Sequence, residues 1–558
     1  MISVIASWID LAWITWILGI CFTKAVENMT GSRSAKQDGV SCLFYGLMVV
    51  TVYAQVWSLF GKVAALAHMI LLLFCMIAGA FLLIKFRKAV KTIQNAGEYA
   101  VLAVLIILFA YGSSRGYIHY DTSLYHAQSI RWVEEYGLVR GLGNLQSRFA
   151  YNSAAFPLSA LFSFKWLTGT SLHTVPGFMA LLLTLESVKP VFYKEVRKDF
   201  MANLIRVAAL CYVLSIFTEM ISPASDYFTV VTIFYVLIKW FSLEEMAEQK
   251  ARPLAYAMLC FVLFWAITMK LSAGALLLLI MKPLYLLLGK KNRQKYWKRE
   301  LSTYLLMGFI IVLPYLIRNY YLSGWLIYPL PSINLFQVPW KVPESMAVYD
   351  YQEISTFARG ISVGQYGESL LTWLPGWFAG QTSFYKVFLL AAAVSIFMWA
   401  VMTCKMLYTD FQKNEGWCFS TGILIVALLF WFVTSPSIRF GVAFVLCVPM
   451  LVFGKLYQRR YRKNGLILVI CGVLLVYKLF TCLQSCGYYA KNDYWMWQKP
   501  YDQFQTATYK VDGQDIYYPV NGDQAGYDAF PSSERPREDL GLLDGATIQS
   551  GFCCKLLK

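Results

Sequence analysis

Tracts of roughly twenty nearly uninterrupted apolar residues recur along this chain, and that length is what a helix needs to cross a hydrocarbon core. ILLLFCMIAGAFLLI (70–84) is one such core. A backbone in lipid must satisfy every N–H and C=O within itself, so the tracts have to be helices or strands of a closed barrel. Their length and lack of polar alternation select helices. Only 15% of the 558 residues are charged and the mean hydropathy is +0.51, where a soluble domain carries roughly a quarter charged residues. The fold class expected is an all-α polytopic membrane protein.

Spans are expected at about 2–22, 40–60, 62–84, 98–114, 172–189, 203–221, 224–242, 253–269, 271–289, 301–320, 384–404, 418–434 and 437–455, with a last one ending near 482. That gives a bundle of roughly 13–15 transmembrane helices. The net charge of +17 is gathered in short blocks between tracts: KFRKAVK (85–91), KEVRK (194–198), KKNRQKYWKRE (290–300) and KLYQRRYRK (455–463). Such clustering is the positive-inside bias of a membrane protein, so no nucleic-acid partner is expected. These blocks then lie in the cytoplasm, and both termini lie outside. Residues 2–22 lack a basic leader and a small-residue cleavage site, and are expected as a retained span. Parity requires 154–168 to be a half-helix that enters and returns, with Pro157 near its start and Lys165 inside it.

Two domains follow from this pattern. Residues 1–482 form the membrane domain, with large external loops at 115–152 and 321–382. Residues 483–558 are polar, rich in Tyr and Gly, and form a small extracytoplasmic region. Most of the thirteen cysteines sit inside apolar tracts, where a thiol packs as a small hydrophobe. Cys482, Cys486, Cys553 and Cys554 fall on the oxidising side, where spacing leaves pairing undetermined. His68, mid-span, reads as a packing residue.

The polar stretch His119–Ser153 (HYDTSLYHAQSIRWVEEYGLVRGLGNLQSRFAYNS) interrupts the apolar pattern. Leu124, Ala127, Ile130 and Val133 recur at helical spacing, which describes an amphipathic helix lying at the membrane interface, with Asp121 placed to cap it. Asp121 and His126, flanked by Tyr120 and Tyr125, fall in this loop. Charge counting puts Asp226, Lys270, Arg318 and Arg439 at span ends on the same face. Ionisable groups at span ends need a partner or a function. Two carboxylates and three cations on one face suit an anionic substrate that needs acid–base help.

In order and pattern, the chain resembles the GT-C superfamily of polytopic glycosyltransferases, and within it poorly characterised bacterial members. The resemblance rests on YDTSLYH (120–126), the Pro-containing FPLSALFSF (156–164), Asp226 at a hairpin end, RNYYLSGWLIYP (318–329) and RF (439–440), and covers most of 98–456. Two features depart from it: the first loop has a single Asp where many members have an acidic pair, and no WWDYG-like motif is present.

The resemblance implies a GT-C-like bundle and an inverting, hexosyltransferase-like enzyme of cell-envelope polysaccharide biosynthesis. A sugar would pass from a polyprenyl-phosphate donor to a glycan, lipid or protein acceptor at the outer face of a bacterial plasma or inner membrane. Asp121 is then the base for the acceptor hydroxyl. Arg318, Arg439 and Lys270 face the leaving phosphate, and Tyr120, Tyr125, His126 and Asp226 orient substrate. No cofactor is expected with certainty; a divalent cation, with Asp121 and Asp226 as candidate ligands, is the one considered. The competing readings are an O-antigen-type polysaccharide polymerase, which also wants external arginines and a long late loop, and a transporter, which would place charges near mid-membrane.

Overall fold

The computed structural model describes residues 1–33, 38–85, 96–246, 253–289, 297–460, 465–490, 494–545 and 547–555. The basic block 85–91 falls almost wholly outside them, as do the first part of 290–300 and the end of 455–463. Among the described residues, twelve helices are long and apolar enough to cross a membrane. They run from Ile2–Thr30 to Leu466–Tyr489, and two shorter apolar helices, Phe200–Ile216 and Pro253–Met269, accompany them. The expected polytopic helical class is therefore the observed one. Leu271–Ile280, the first half of one span, is wound as a 3-10 helix before Met281–Leu288 continues it as α-helix.

Helices in lipid gain little from hydrophobicity against one another and associate through close packing, which favours small residues at contacts. The first two helices show this directly. A Cβ on Gly19 would sit 1.8 Å from the Cys42 carbonyl oxygen, and one on Gly46 would sit 1.8 Å from the Thr15 carbonyl oxygen. Two glycines, one on each helix, thus let Ile2–Thr30 and Gly39–Ser58 touch backbone to backbone. Asp38 caps the second helix, accepting from the Ser41 N–H at 2.8 Å.

Residues 154–168 do not cross. They form a seven-residue buried helix, Ala155–Leu161, and a single turn, Lys165–Thr168, separated by Phe164 at φ +50°. Lys165 leaves the apolar interior to pair with Glu135. The expected interfacial helix is Ala127–Glu135, yet it does not lie open on a membrane surface. Both its apolar and much of its polar face are buried.

What covers it is the C-terminal region. The strands Thr506–Val511 and Gln514–Pro519 pair antiparallel around Asp512-Gly513, both at positive φ, which suits the tight hairpin turn of an Asp-Gly pair. A second pair joins Leu540–Leu542 to Phe552–Cys554. Val511, Ile516, Leu540, Leu542 and Phe552 share one apolar core with Trp132, Leu142, Leu145 and Phe149 of the first loop. The two regions separated by nearly four hundred residues are a single packed unit. None of the thirteen cysteines, all of them among the described residues, is in a disulfide, and the Cys482 and Cys486 Sγ atoms lie 4.0 Å apart on one helix.

His68 is not a solitary packing residue. Its Nε2 lies 3.3 Å from Asp10 Oδ2 on the first helix, and its Nδ1 lies 3.2 Å from the Leu161 carbonyl. Charge counting along the sequence missed this because Asp10 and His68 belong to different spans.

Candidate active site

Four elements bring ionisable groups together. The loop after the fourth span supplies His119 and Asp121. The first turn of the helix Ser225–Glu245 supplies Asp226, where the positive end of the helix dipole favours a carboxylate. Lys270 occupies the extended residue between Pro253–Met269 and Leu271–Ile280. Arg439 is the second residue of the helix Ile438–Arg460. A cation there opposes the helix dipole, so Arg439 depends on neighbouring carboxylates. The turn that presents it is held by indole donors: Trp431 to the Ser437 carbonyl at 2.8 Å and Trp377 to the Pro436 carbonyl at 2.9 Å.

The charges alternate along a chain. Arg439 Nη2 donates to Asp121 Oδ2 at 2.8 Å, and its Nε lies 3.4 Å from Asp226 Oδ2. Asp226 Oδ1 accepts from Lys270. The Lys270 ammonium also sits 3.7 Å from the centroid of the Phe440 ring, a distance at which the ring face attracts a cation. The third arm of the guanidinium, Nη1, reaches His119 Nε2 at 2.7 Å. A guanidinium has only donors, so Nε2 must be the acceptor and the neutral ring carries its proton on Nδ1. The Asp121 N–H, 3.2 Å from Nδ1, competes for the imidazole's single lone pair, and the shorter charge-assisted contact takes it. The Nδ1 proton is then on the side of Asp121, whose Oδ2 is 3.8 Å away.

Asp121 does not cap a helix. It begins a π-helical turn, Thr122–His126, and its carboxylate makes no capping hydrogen bond. Single π turns are often found at functional sites, and this one carries Asp121 toward Arg439 instead of back toward its own backbone. Burial would raise the Asp121 carboxyl, but the Arg439 guanidinium overcomes it and holds the group below the ordinary aspartate value. Burial keeps both imidazoles neutral: His119 is lowered, and His126 is pushed down to about 3. His126 is packed edge-on against Tyr125 at 4.3 Å, with Thr122 Oγ1 3.3 Å from its Nδ1.

Tyr120, next to Asp121, is 47% exposed and gives its hydroxyl to Asp523 of the C-terminal region. Arg318 stands apart: its Nε lies 3.3 Å from Asn152 Oδ1 and its Nη1 donates to Ser58 Oγ. Among the described residues, no carboxylate pairs with it. Its partner Asn152 is linked to the site through the next residue, since Ser153 Oγ donates to the Met269 carbonyl at 2.8 Å, one residue before Lys270. Of the residues expected from sequence, Asp121, Asp226, Lys270 and Arg439 meet, Tyr120, Tyr125 and His126 flank them, and Arg318 lies in a neighbouring buried pocket.

His119 is the residue that sequence reasoning left without a role. The His-x-Asp spacing was a signal, but only Arg439, 320 residues later, turns it into a contact.

The arrangement does not fit a divalent cation. Arg439 bridges the two carboxylates, and Lys270 occupies the outer oxygen of Asp226. No group of three or more His, Cys, Asp or Glu side chains suited to a metal occurs among the described residues.

No curated protein matches this chain in sequence. Residues 1–446 match a domain family described as a domain of unknown function (DUF8201), a stretch that takes in every residue of the cluster and stops before the C-terminal region. The chain belongs to that family.

Proposed function

We propose that this protein is a membrane glycosyltransferase that moves a sugar from a polyprenyl-phosphate donor to an acceptor hydroxyl at the extracytoplasmic face of a bacterial cell membrane. Cell-envelope glycan assembly or modification is the setting this chemistry suits. One observation carries the reading. Asp121 commits Oδ2 to Arg439, whereas its Oδ1 accepts no hydrogen bond among the described residues, and the side chain is still one-fifth exposed. A carboxylate kept ionised by one oxygen and open at the other is equipped to accept a proton.

The reaction is a single displacement. The acceptor oxygen attacks the anomeric carbon and gives its proton to Asp121. The bond from the anomeric carbon to the phosphate oxygen breaks, and its electron pair leaves with polyprenyl phosphate. Arg439 and Lys270 are the cations nearest that developing charge. Arg439 already donates to three acceptors, so an incoming phosphate competes with Asp121 and His119 for it. Donor binding then loosens the Arg439–Asp121 pair and makes Asp121 a stronger base. Arg318, a buried cation held by the neutral side chains of Asn152 and Ser58, offers a second position for phosphate oxygens.

The test uses the purified full-length protein in lipid nanodiscs with a panel of polyprenyl-phosphate sugars, reading release of polyprenyl phosphate. Release that requires Asp121 and transfers one sugar supports the proposal. Progressive growth of the acceptor would assign the protein as a polysaccharide polymerase, and no release with any donor would overturn the reading.

A further inference from the structure

The C-terminal region lies beyond the family match, and its loop 520–530 runs directly over the residues beside Asp121. Gln524 Nε2 donates to the Tyr120 carbonyl at 3.0 Å, the Gly526 N–H donates to the Ser123 carbonyl at 2.9 Å, and the Tyr120 hydroxyl donates to Asp523. The loop is also fastened from behind. Gln128 Nε2 reaches the carbonyls of Gly526 at 2.9 Å and Ala529 at 2.8 Å, and Arg131 Nη1 reaches those of Tyr527 at 2.7 Å and Asp528 at 2.8 Å. The Tyr527 ring stacks on Tyr501 at 4.9 Å while its hydroxyl donates to the buried Glu134. Gly526 is at φ +70°, and a Cβ there would meet the Asp502 carbonyl oxygen at 2.6 Å. A loop held at this many points is a fixed wall, not a mobile cover.

That wall presents an unusual set of groups. Tyr120 is exposed next to Asp121 in sequence, Asn521 is exposed, and Asp523 and Gln524 are half-buried around it. Planar amides and a carboxylate supply paired donors and acceptors at fixed spacing, and a tyrosine supplies a flat apolar face with a polar edge. A sugar ring asks for this combination, because it shows hydroxyls at its rim and C–H groups on its faces. Holding the groups in advance removes the ordering cost of binding. The charge pattern separates two substrates: the cations Arg439 and Lys270 lie inside, while the rim carries the Asp523 carboxylate, and Arg148, whose charge reaches Tyr120, is committed to Glu353 and Glu534. A neutral glycan suits the rim, and a phosphate suits the interior.

We propose that Tyr120, Asn521, Asp523 and Gln524 form a carbohydrate-binding subsite that seats a neutral acceptor glycan beside Asp121. The assignment of the glycan as acceptor rests on the glycosyltransferase reading; the binding of the glycan does not. The subsite makes the C-terminal region the part that selects the acceptor.

The test is binding of an array of neutral oligosaccharides to the full-length protein in nanodiscs, with affinities of the hits measured in solution. Wild type is expected to bind at least one neutral glycan. Asp523→Ala and Gln524→Ala should each weaken it tenfold or more, Tyr120→Phe less than Tyr120→Ala, and Asp528→Ala not at all. Thermal midpoints within a few degrees of wild type would show that the variants are folded. No binding by wild type, or binding untouched in Asp523→Ala and Gln524→Ala, would overturn the proposal. Glycan binding without release of polyprenyl phosphate from any donor would sink the transferase reading and leave the subsite standing. Release without glycan binding would do the reverse.

Discussion

The helix Ser225–Glu245 carries an ionic cluster at each end, and the two teach different lessons. Asp226 and Lys239, thirteen residues apart, are separated by roughly 20 Å of helix rise. At the Lys239 end, Asp38 Oδ2 lies 2.6 Å from both Lys189 and Lys239, and Glu186 pairs with Lys189, with Lys239 at 3.1 Å and with Arg206 at 3.3 Å. The remaining Asp38 oxygen caps a helix, and Arg206 also donates to Asn203 at 2.8 Å. Every carboxylate oxygen there is used. At the Asp226 end, one Asp121 oxygen stays uncommitted, and two neutral imidazoles stand beside it. Ions collected at span ends are therefore not by themselves a site. The first cluster clamps the segment before the second helix to three later helices; the second keeps groups in reserve.

The sharpest way to break this comparison is to neutralise one carboxylate in each cluster. Asp121→Asn should lower transfer by about 10²–10⁴-fold, the range for losing a general base, while the thermal midpoint stays near wild type. Glu186→Gln should do the opposite. Removing one member of a buried ion network destabilises by about 3–5 kcal/mol, so the yield of folded protein should fall while activity per folded molecule is retained. If Glu186→Gln lost activity at unchanged stability, the clamp reading would be wrong.

Arg439→Lys tests the shape of the outer cluster, not its charge. A lysine ammonium cannot reach His119, Asp121 and Asp226 with a planar fork. Transfer should fall about tenfold to a hundredfold with stability little changed. Full activity would mean that a point charge suffices and that the three-way contact at Arg439 has no role in orienting Asp121.

Much of this architecture was legible in the chain. Span length follows from bilayer thickness, so the apolar tracts marked nearly every long helix. Charge blocks assign each span end to a side, and that single coordinate was enough to put Asp121, Asp226, Lys270 and Arg439 on one face. It says nothing about position around the bundle. Arg318 shares the face yet lies in a different pocket, against Asn152 and Ser58. The Asp10–His68 pair and the Lys239-end cluster were missed for the same reason. Asp121 as a helix cap failed differently: local spacing favoured a backbone partner, and a guanidinium 318 residues away took the carboxylate instead. The C-terminal region carries no span signal, so only its shared core with Trp132 and Leu145 revealed that it covers the first loop.

The smallest effect expected is a pH response outside the ion clusters. Asp350, on the helix Glu344–Arg359, is buried and accepts from Tyr328 Oη at 2.8 Å and Ser147 Oγ at 3.2 Å. Burial is the largest influence on it and raises its carboxyl to about 6, against the smaller lowering by Tyr328 and Ser147. Glu353 faces it on the same helix, and Arg148 bridges Glu353 at 3.3 Å and Glu534 of the C-terminal region at 2.7 Å. Because the folded value lies above the unfolded one, the neutral acid favours the docked helix. Its contribution is complete below the ordinary aspartate range and is lost as pH rises through about 6. Docking of this helix, read by limited proteolysis within 344–359, should therefore loosen modestly between pH 5 and pH 7. Asp350→Asn, which cannot ionise, should remove that dependence. A proteolysis profile that stayed pH-dependent in Asp350→Asn would shift the origin to the Arg148–Glu353–Glu534 bridge.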